Sequence, residues 1–409
     1  MLRRFRNHIA VFFAVIGPGF ITAMVDNDAG GIYTYSQAGA RWGYLPLWTL
    51  LPIAAALVVT QEMCSRMGAV TGKGLSDLIR EEFGFRTTFF VMIVLLLVNL
   101  TNVMANFAGI ATSLELFGVS RYVSVPLGAA VVWMLVVKGT YASVEKAFLL
   151  ACGFYGAYVV SGILVRPDWH QAMINSVTPH LMLEDAYVAM LVGMVGTSIA
   201  PWMQFYLQSA VVEKGIDEKQ YAESRIEVVV GCVVMTVIAF FIVVACAGAI
   251  YSRQPRDISS AAEAAEALRP FGRYAYVLFS AGLFNASLFA ACILPLSTAY
   301  TVCEGLGFES GVNKRFEEAP VFYWLYTLLI VVGAGVILLP HFPLVRLILV
   351  SQILNGALLP VILIFMLLLV NREDLLGKWT NSRIFNAIAW TTSAVMIALS
   401  LSLAFLSFR

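Results

Sequence analysis

GPGFITAMVDNDAGG, residues 17–31, is the stretch whose reading decides the fold. It holds Asp26 and Asp28 within an otherwise uncharged, apolar stretch near the start of the chain. An ionised carboxylate at membrane depth costs about 2.5–3.5 kcal/mol on insertion scales, and a like charge beside it adds to that. Such a pair calls for a cation. Gly30 and Gly31 follow, and glycine is about 1 kcal/mol worse than alanine within a helix. The helix is therefore expected to unwind between Asp26 and Gly31, where freed backbone carbonyls would help hold an ion.

The rest of the chain supplies the membrane setting. Of its 409 residues, 60% are hydrophobic and 12% charged, with mean hydropathy +0.83; soluble proteins carry about 25% charge. Stretches free of Asp, Glu, Lys and Arg run 7–25, 42–61, 87–114, 122–137, 147–165, 186–212, 228–252, 274–303, 319–345, 347–370 and 384–408. Most match the roughly 20 residues a helix needs to cross hydrocarbon, so eleven transmembrane helices are expected. With Arg3, Arg4 and Arg6 inside, 17 of the 26 Lys and Arg fall on cytoplasmic segments. The bias predicts a cytoplasmic N-terminus and an extracellular C-terminus.

A signal peptide is the bland reading of MLRRFRNHIAVFFAVIGPGF, but no clean small-residue cleavage site follows and the apolar pattern resumes after the aspartates. Cys64, Cys152, Cys232, Cys246, Cys292 and Cys303 are scattered in or beside spans without a paired-ligand spacing, and read as small core residues. A net charge of +1 argues against a nucleic-acid partner. The four histidines are dispersed near span ends and loops, which disfavours a histidine metal site. DNDAGG superficially opens like an EF-hand loop, yet the third acidic or amide ligand is missing.

No soluble domain interrupts the chain, so 1–409 reads as one multi-pass domain. Span six, in GTSIAPWMQ, carries a second candidate break at Pro201, which removes a helix hydrogen bond near mid-membrane. A proline kink alone would explain it. Its position five spans after the first break instead matches an inverted-repeat transporter, with the site between two discontinuous helices. The repeats would be 1–165 and 184–371, with an additional helix at 381–409.

Five segments resemble the Nramp (natural resistance-associated macrophage protein) divalent-metal transporters. GPGFITAMVDNDAGGIYTYSQAGARWGY (17–44) is similar to their first span, and MGAVTGKGLSDLIREEFG (67–84) to their loop after span two. SAVVEKG (209–215), STAYTVCEGLG (297–307) and SQILNGALLP (351–360) resemble stretches at spans six, eight and ten. The family's Asp-Pro-Gly-Asn break corresponds to Asp28-Ala29-Gly30-Gly31, which loses an amide ligand, and its Met-Pro-His to Ala200-Pro201-Trp202, which loses a thioether. Its span-three acids, associated with a proton path, align with Asn102 and Ala105. These departures resemble the magnesium-transporting branch of the Nramp relatives. The resemblance implies a leucine-transporter-like, all-α fold of two inverted five-helix repeats plus one helix. It implies a metal site at Asp28, Asp26, Gly31, Ala200 and Gln352, with Val25, Trp202 and Asn355 secondary.

Mg2+ chemistry agrees with that branch. Mg2+ prefers oxygen ligands and octahedral geometry, and keeps several waters while one or two carboxylates hold it. Mn2+ also accepts oxygen sites and should pass. A divalent ion crossing 100 mV gains about 4.6 kcal/mol, enough for a concentration ratio on the order of a thousand without a coupling ion. Gln352 and Asn355, one helical turn apart, would either face the ion path or bond between helices. Glu62 and Glu304 near span ends read as structural rather than gating.

The expectation is Mg2+ uptake by alternating access, with Mn2+ also carried, in a monomer of the cell membrane that needs no cofactor. A proton-coupled Mn2+/Fe2+ transporter is the alternative and requires a proton acceptor. A sodium-coupled amino-acid transporter would share the architecture without needing two adjacent carboxylates. A membrane-embedded metalloenzyme would need a base or nucleophile beside them, and none is there.

Overall fold

A computed structural model describes residues 17–138, 152–312 and 314–407. Residues 7–16 and 147–151 of the first and fifth apolar windows, the orienting Arg3, Arg4 and Arg6, and His8 lie outside the described residues. Among the described residues every regular element is helical and there is no strand. The early elements are α1 (Pro18–Val25), α2 (Ala29–Trp42), α3 (Leu50–Thr71), α4 (Leu75–Glu115), α5 (Arg121–Val137), α6 (Gly156–Leu164) and α7 (Trp169–Val177). Then follow α8 (Asp185–Ser198), α9 (Pro201–Glu213), α10 (Tyr221–Cys246), α11 (Ala261–Ala265), α12 (Ala275–Leu306), α13 (Pro320–Ile337), α14 (Leu344–Val370), α15 (Glu373–Leu376) and α16 (Arg383–Ser407).

By length and composition, eight of the described helical stretches suffice to cross a membrane. Arg121–Val137 is apolar but only 17 residues long. The uncharged windows underestimate α4, which begins at Leu75 rather than 87 because its first turns carry charge. That polar beginning is set off at Gly84, whose φ of 79° and ψ of 164° interrupt the helix in a region open essentially to glycine.

Burial separates centre from periphery. All eight residues of α1 are buried, as is 83% of the apolar window in α8–α9, against 17% for α16. Leu97, Leu127, Trp324 and Leu401 are exposed on the outside of the bundle, where acyl chains are as good a solvent as a core. Asn99, Asn102 and Asn106 of α4 are turned inward and buried, since polar groups within hydrocarbon must face one another or a cavity. Lipid offers no hydrophobic drive between helices, so close packing of small residues carries the association. A Cβ on Gly196 of α8 would run into the backbone of α14 at Gln352 and Gly356. These contacts hold α8 tightly on α14 and fix Gln352 relative to span six.

Candidate metal-binding site

Two helices stop in the middle of the bundle. The last turn of α1 tightens, with the Asp26, Asn27 and Asp28 N–H groups donating to Ala23, Met24 and Val25 carbonyls at 3.3, 3.3 and 3.0 Å. Asp28 then turns extended (φ −68°, ψ −165°) and its carboxylate caps α2, accepting from Gly31 N–H at 3.1 Å. Carboxylates suit helix N-termini because they satisfy orphan amides and oppose the positive end of the dipole.

The unwound part is thus Asp26–Asp28, shorter than the Asp26–Gly31 break expected from glycine content. Gly30 and Gly31 are helical. Their missing side chains matter for space: a Cβ on Gly31 would overlap the Asp26 carbonyl oxygen, and one on Gly30 would strike the Gln352 amide. The Val25 carbonyl is taken by Asp28 N–H rather than left open. The Asn27 carbonyl accepts from the Tyr155 hydroxyl at 2.7 Å.

The second break comes at Ile199-Ala200, between α8 and α9. Ala200 is extended (φ −66°, ψ 137°) with Pro201 at the first helical position, a site where the missing N–H costs nothing. This is a true interruption and not a kink. The breaks lie side by side: Tyr35 of α2 bonds Ser198 at 2.6 Å, and Thr197 sits by Gly31.

Asp28 is buried, and its second oxygen accepts from Asn106 Nδ2 of α4 at 2.7 Å. Next to it a closed amide network links α4 and α14. Asn102 and Asn355 exchange hydrogen bonds at 2.8 and 2.9 Å, Asn355 donates to Gln352 Oε1 at 3.0 Å, and Gln352 donates to Asn102 Oδ1 at 3.3 Å. Gln352 and Asn355 therefore bond between helices, and Gln352 also lies over Gly30. Asp26 is 2% exposed and neither carboxylate oxygen has a hydrogen-bond partner among the described residues. A buried carboxylate without donors is costly unless a cation answers it.

Asp28, Gly31 and Gln352 are brought together, with Asp26 and Val25 on the same turn and Asn355 behind Gln352. Ala200 and Trp202 belong to the adjoining break and are not among the hydrogen-bond partners of Asp28. The Ala200 carbonyl accepts from Met203 N–H at 3.1 Å, and the Trp202 carbonyl from Ser297 at 3.0 Å. Asn106 is the residue the sequence reading missed. Its signal was present, since Asn99, Asn102 and Asn106 recur at i, i+3 and i+7 on one helix face. Glu62 is a structural group: it pairs with Arg66 at 3.2 Å and accepts from Tyr221, while Arg66 also donates to the Trp379 and Thr380 carbonyls. Glu304 is packed against Gly74. Among the described residues no three His, Cys, Asp or Glu side chains gather as a metal cluster, so any ion here must complete its shell from amides, backbone or water.

A family model described as natural resistance-associated macrophage protein-like matches residues 19–406. The chain belongs to the Nramp family. It is accordingly a multi-pass membrane protein. Curated Nramp relatives include the divalent metal cation transporter MntH of Burkholderia ambifaria, 25% identical over 99% of this chain and 91% of the relative. The MntH protein of Deinococcus radiodurans is 26% identical over 94% of this chain and 88% of the relative. Among solved structures, the manganese transporter of Eremococcus coleocola superposes with TM-score 0.73 at 20% identity, covering 95% of this chain and 85% of that one. Mhp1, a nucleobase-cation-symport-1 transporter, gives TM-score 0.60 at 13% identity over 96% of this chain and 91% of its own. The last two likenesses concern the fold.

Proposed function

We propose that this Nramp-family chain is a divalent metal transporter that takes up Mg2+, and Mn2+ as well, down the electrochemical gradient without proton coupling. The observation that carries the reading is the donor set at the first break: two buried aspartates, an amide network and no sulfur at Ala200. Mg2+ fits oxygen donors few enough to leave it partly hydrated. Asp28 would be the principal ligand, Asp26 the second carboxylate, and the Gln352 amide and the Gly31 backbone the neighbours of its water shell. Ala200 would widen the site from the second break, with Trp202 beside it.

In this reading eleven spans form two inverted repeats, 1–165 and 184–371, plus the helix at 381–409. The N-terminus faces the cytoplasm and the C-terminus the exterior, and the monomer is the working unit in the cell membrane. Short helices ending at mid-membrane can tilt separately from α14 and from the part of α4 beyond Gly84, which gives alternating access a mechanical basis. The proton acceptors associated with the classical family are replaced by the neutral Asn102 and Ala105, so the gradient of the ion itself supplies the drive. The second reading, a proton-coupled Mn2+/Fe2+ transporter of the classical Nramp type, is equally compatible with the divalent metal cation transporters among the relatives. Uptake of Mg2+, Mn2+ and Ca2+ into liposomes holding the purified protein tests the choice. Saturable Mg2+ uptake supports the proposal; Mn2+ uptake that excess Mg2+ neither competes with nor accompanies overturns it.

A further inference from the structure

Asn106 sits in α4 with no solvent exposure. Both hydrogens of its amide nitrogen are in use, one on Asp28 Oδ2 at 2.7 Å and one on the Asn102 carbonyl at 3.0 Å. Both of those neighbours are acceptors, which fixes the amide orientation. The i to i−4 bond also holds the side chain in one rotamer. Asn106 Oδ1 is consequently presented on the other side of the amide, buried and without a hydrogen-bond partner among the described residues. A buried acceptor left in that state costs about 1–3 kcal/mol. Amide bond lengths of about 1.2 and 1.3 Å keep Oδ1 within about 5 Å of the Asp28 oxygen that Nδ2 holds. An ion bound to Asp28 at about 2.1 Å, carrying water at a similar distance, brings a water proton to that oxygen.

We propose that Asn106 is a positioning and ion-selectivity residue of the transport site: its nitrogen clamps Asp28, and its oxygen accepts a hydrogen bond from a water carried by the bound ion. The inference rests on the reading of Asp28 as the ion's carboxylate. It adds a duty that neither the Asp28–Asp26 pair nor the Gln352 network performs, since the Asn102–Asn355 pair is closed on itself. The consequence is ionic discrimination. Mg2+ gives up water reluctantly, so a residue that recognises the ion through water favours it over ions that shed their shell readily.

Uptake kinetics of Asn106→Leu in proteoliposomes test this, because leucine keeps the volume and removes both donor and acceptor. The KM for Mg2+ should rise about tenfold, as expected for a lost hydrogen bond to a charged group. The rise for Mn2+ should be smaller, turnover at saturation should stay near wild type, and the melting temperature should fall modestly because Asp28 loses a buried donor. Asn106→Ala should give the same ordering of ions at smaller size and serves if the leucine variant does not fold. Unchanged KM values with lowered turnover, or equal rises for both ions, overturn the proposal. If wild-type protein carries Mn2+ but no Mg2+, the magnesium reading fails separately. Asn106 is then judged on the Mn2+ KM alone, a rise supporting the clamp and no change refuting it.

Discussion

Gly31→Ala sets two physical effects against each other, and the structure says which wins. Gly31 lies in the first turn of α2, where alanine would improve helix propensity by about 1 kcal/mol. The new Cβ would overlap the Asp26 carbonyl oxygen, with the carbonyl carbon 3.1 Å and Thr197 Oγ1 3.6 Å away. The obstacle is backbone and cannot rotate aside. Overpacking costs about 1–3 kcal/mol, and opening the turn also pulls Gly31 N–H from the Asp28 carboxylate, a bond to a charged group worth about 1.5–3 kcal/mol. The variant should lose about 3 kcal/mol net, melt lower in detergent and transport little. Gly30→Ala makes a useful contrast, because its Cβ meets the far end of Gln352, with Cδ at 2.5 Å and Asp28 Oδ1 at 3.0 Å. Gln352 can swing away, so this protein should melt like wild type while its uptake falls. A Gly31→Ala protein that melts higher than wild type with full uptake would show that the packing of the Asp26–Asp28 turn has been misread.

Further variants address other parts of the account. Asp28→Ala should abolish uptake in a folded protein and Asp26→Ala should reduce it less, both read as initial rates in proteoliposomes; wild-type rates in Asp28→Ala would remove the site assignment. Ala200→Met should crowd the ion's water shell and add a soft ligand, lowering the Mg2+ to Mn2+ uptake ratio; an unchanged ratio would mean that residue 200 does not face the ion. Arg66→Met leaves the buried Glu62 carboxylate without its cation and should cost about 3–5 kcal/mol. Adding Glu62→Gln should recover much of that melting temperature, and no recovery would deny the pairing.

The helical bundle was legible because a chain entering hydrocarbon has few options: an uncharged run of the right length must be helix. Where described, the windows and helices agree to within a few residues at most boundaries, as with 122–137 and Arg121–Val137. α4 starts twelve residues earlier than its window, since charge marks where lipid ends and not where a helix ends. Both breaks were legible too, through Asp28 and Pro201. The first break is shorter than glycine propensity alone implies. The glycines sit in the first helical turn, where Asp28 caps them, and serve close approach instead. Asn106 was hidden by one-dimensional reading: its importance depends on Asp28, 78 residues away, facing the same gap.

Energy coupling is the central claim, and ion accumulation at a fixed potential tests it most directly. Proteoliposomes are clamped at about 100 mV, inside negative, with a Mg2+ indicator and a pH dye trapped together. The account predicts free Mg2+ inside rising toward a ratio on the order of a thousand, set by voltage alone, with no acidification of the interior. Proton entry in fixed proportion to Mg2+, or accumulation that requires a pH gradient, would contradict it.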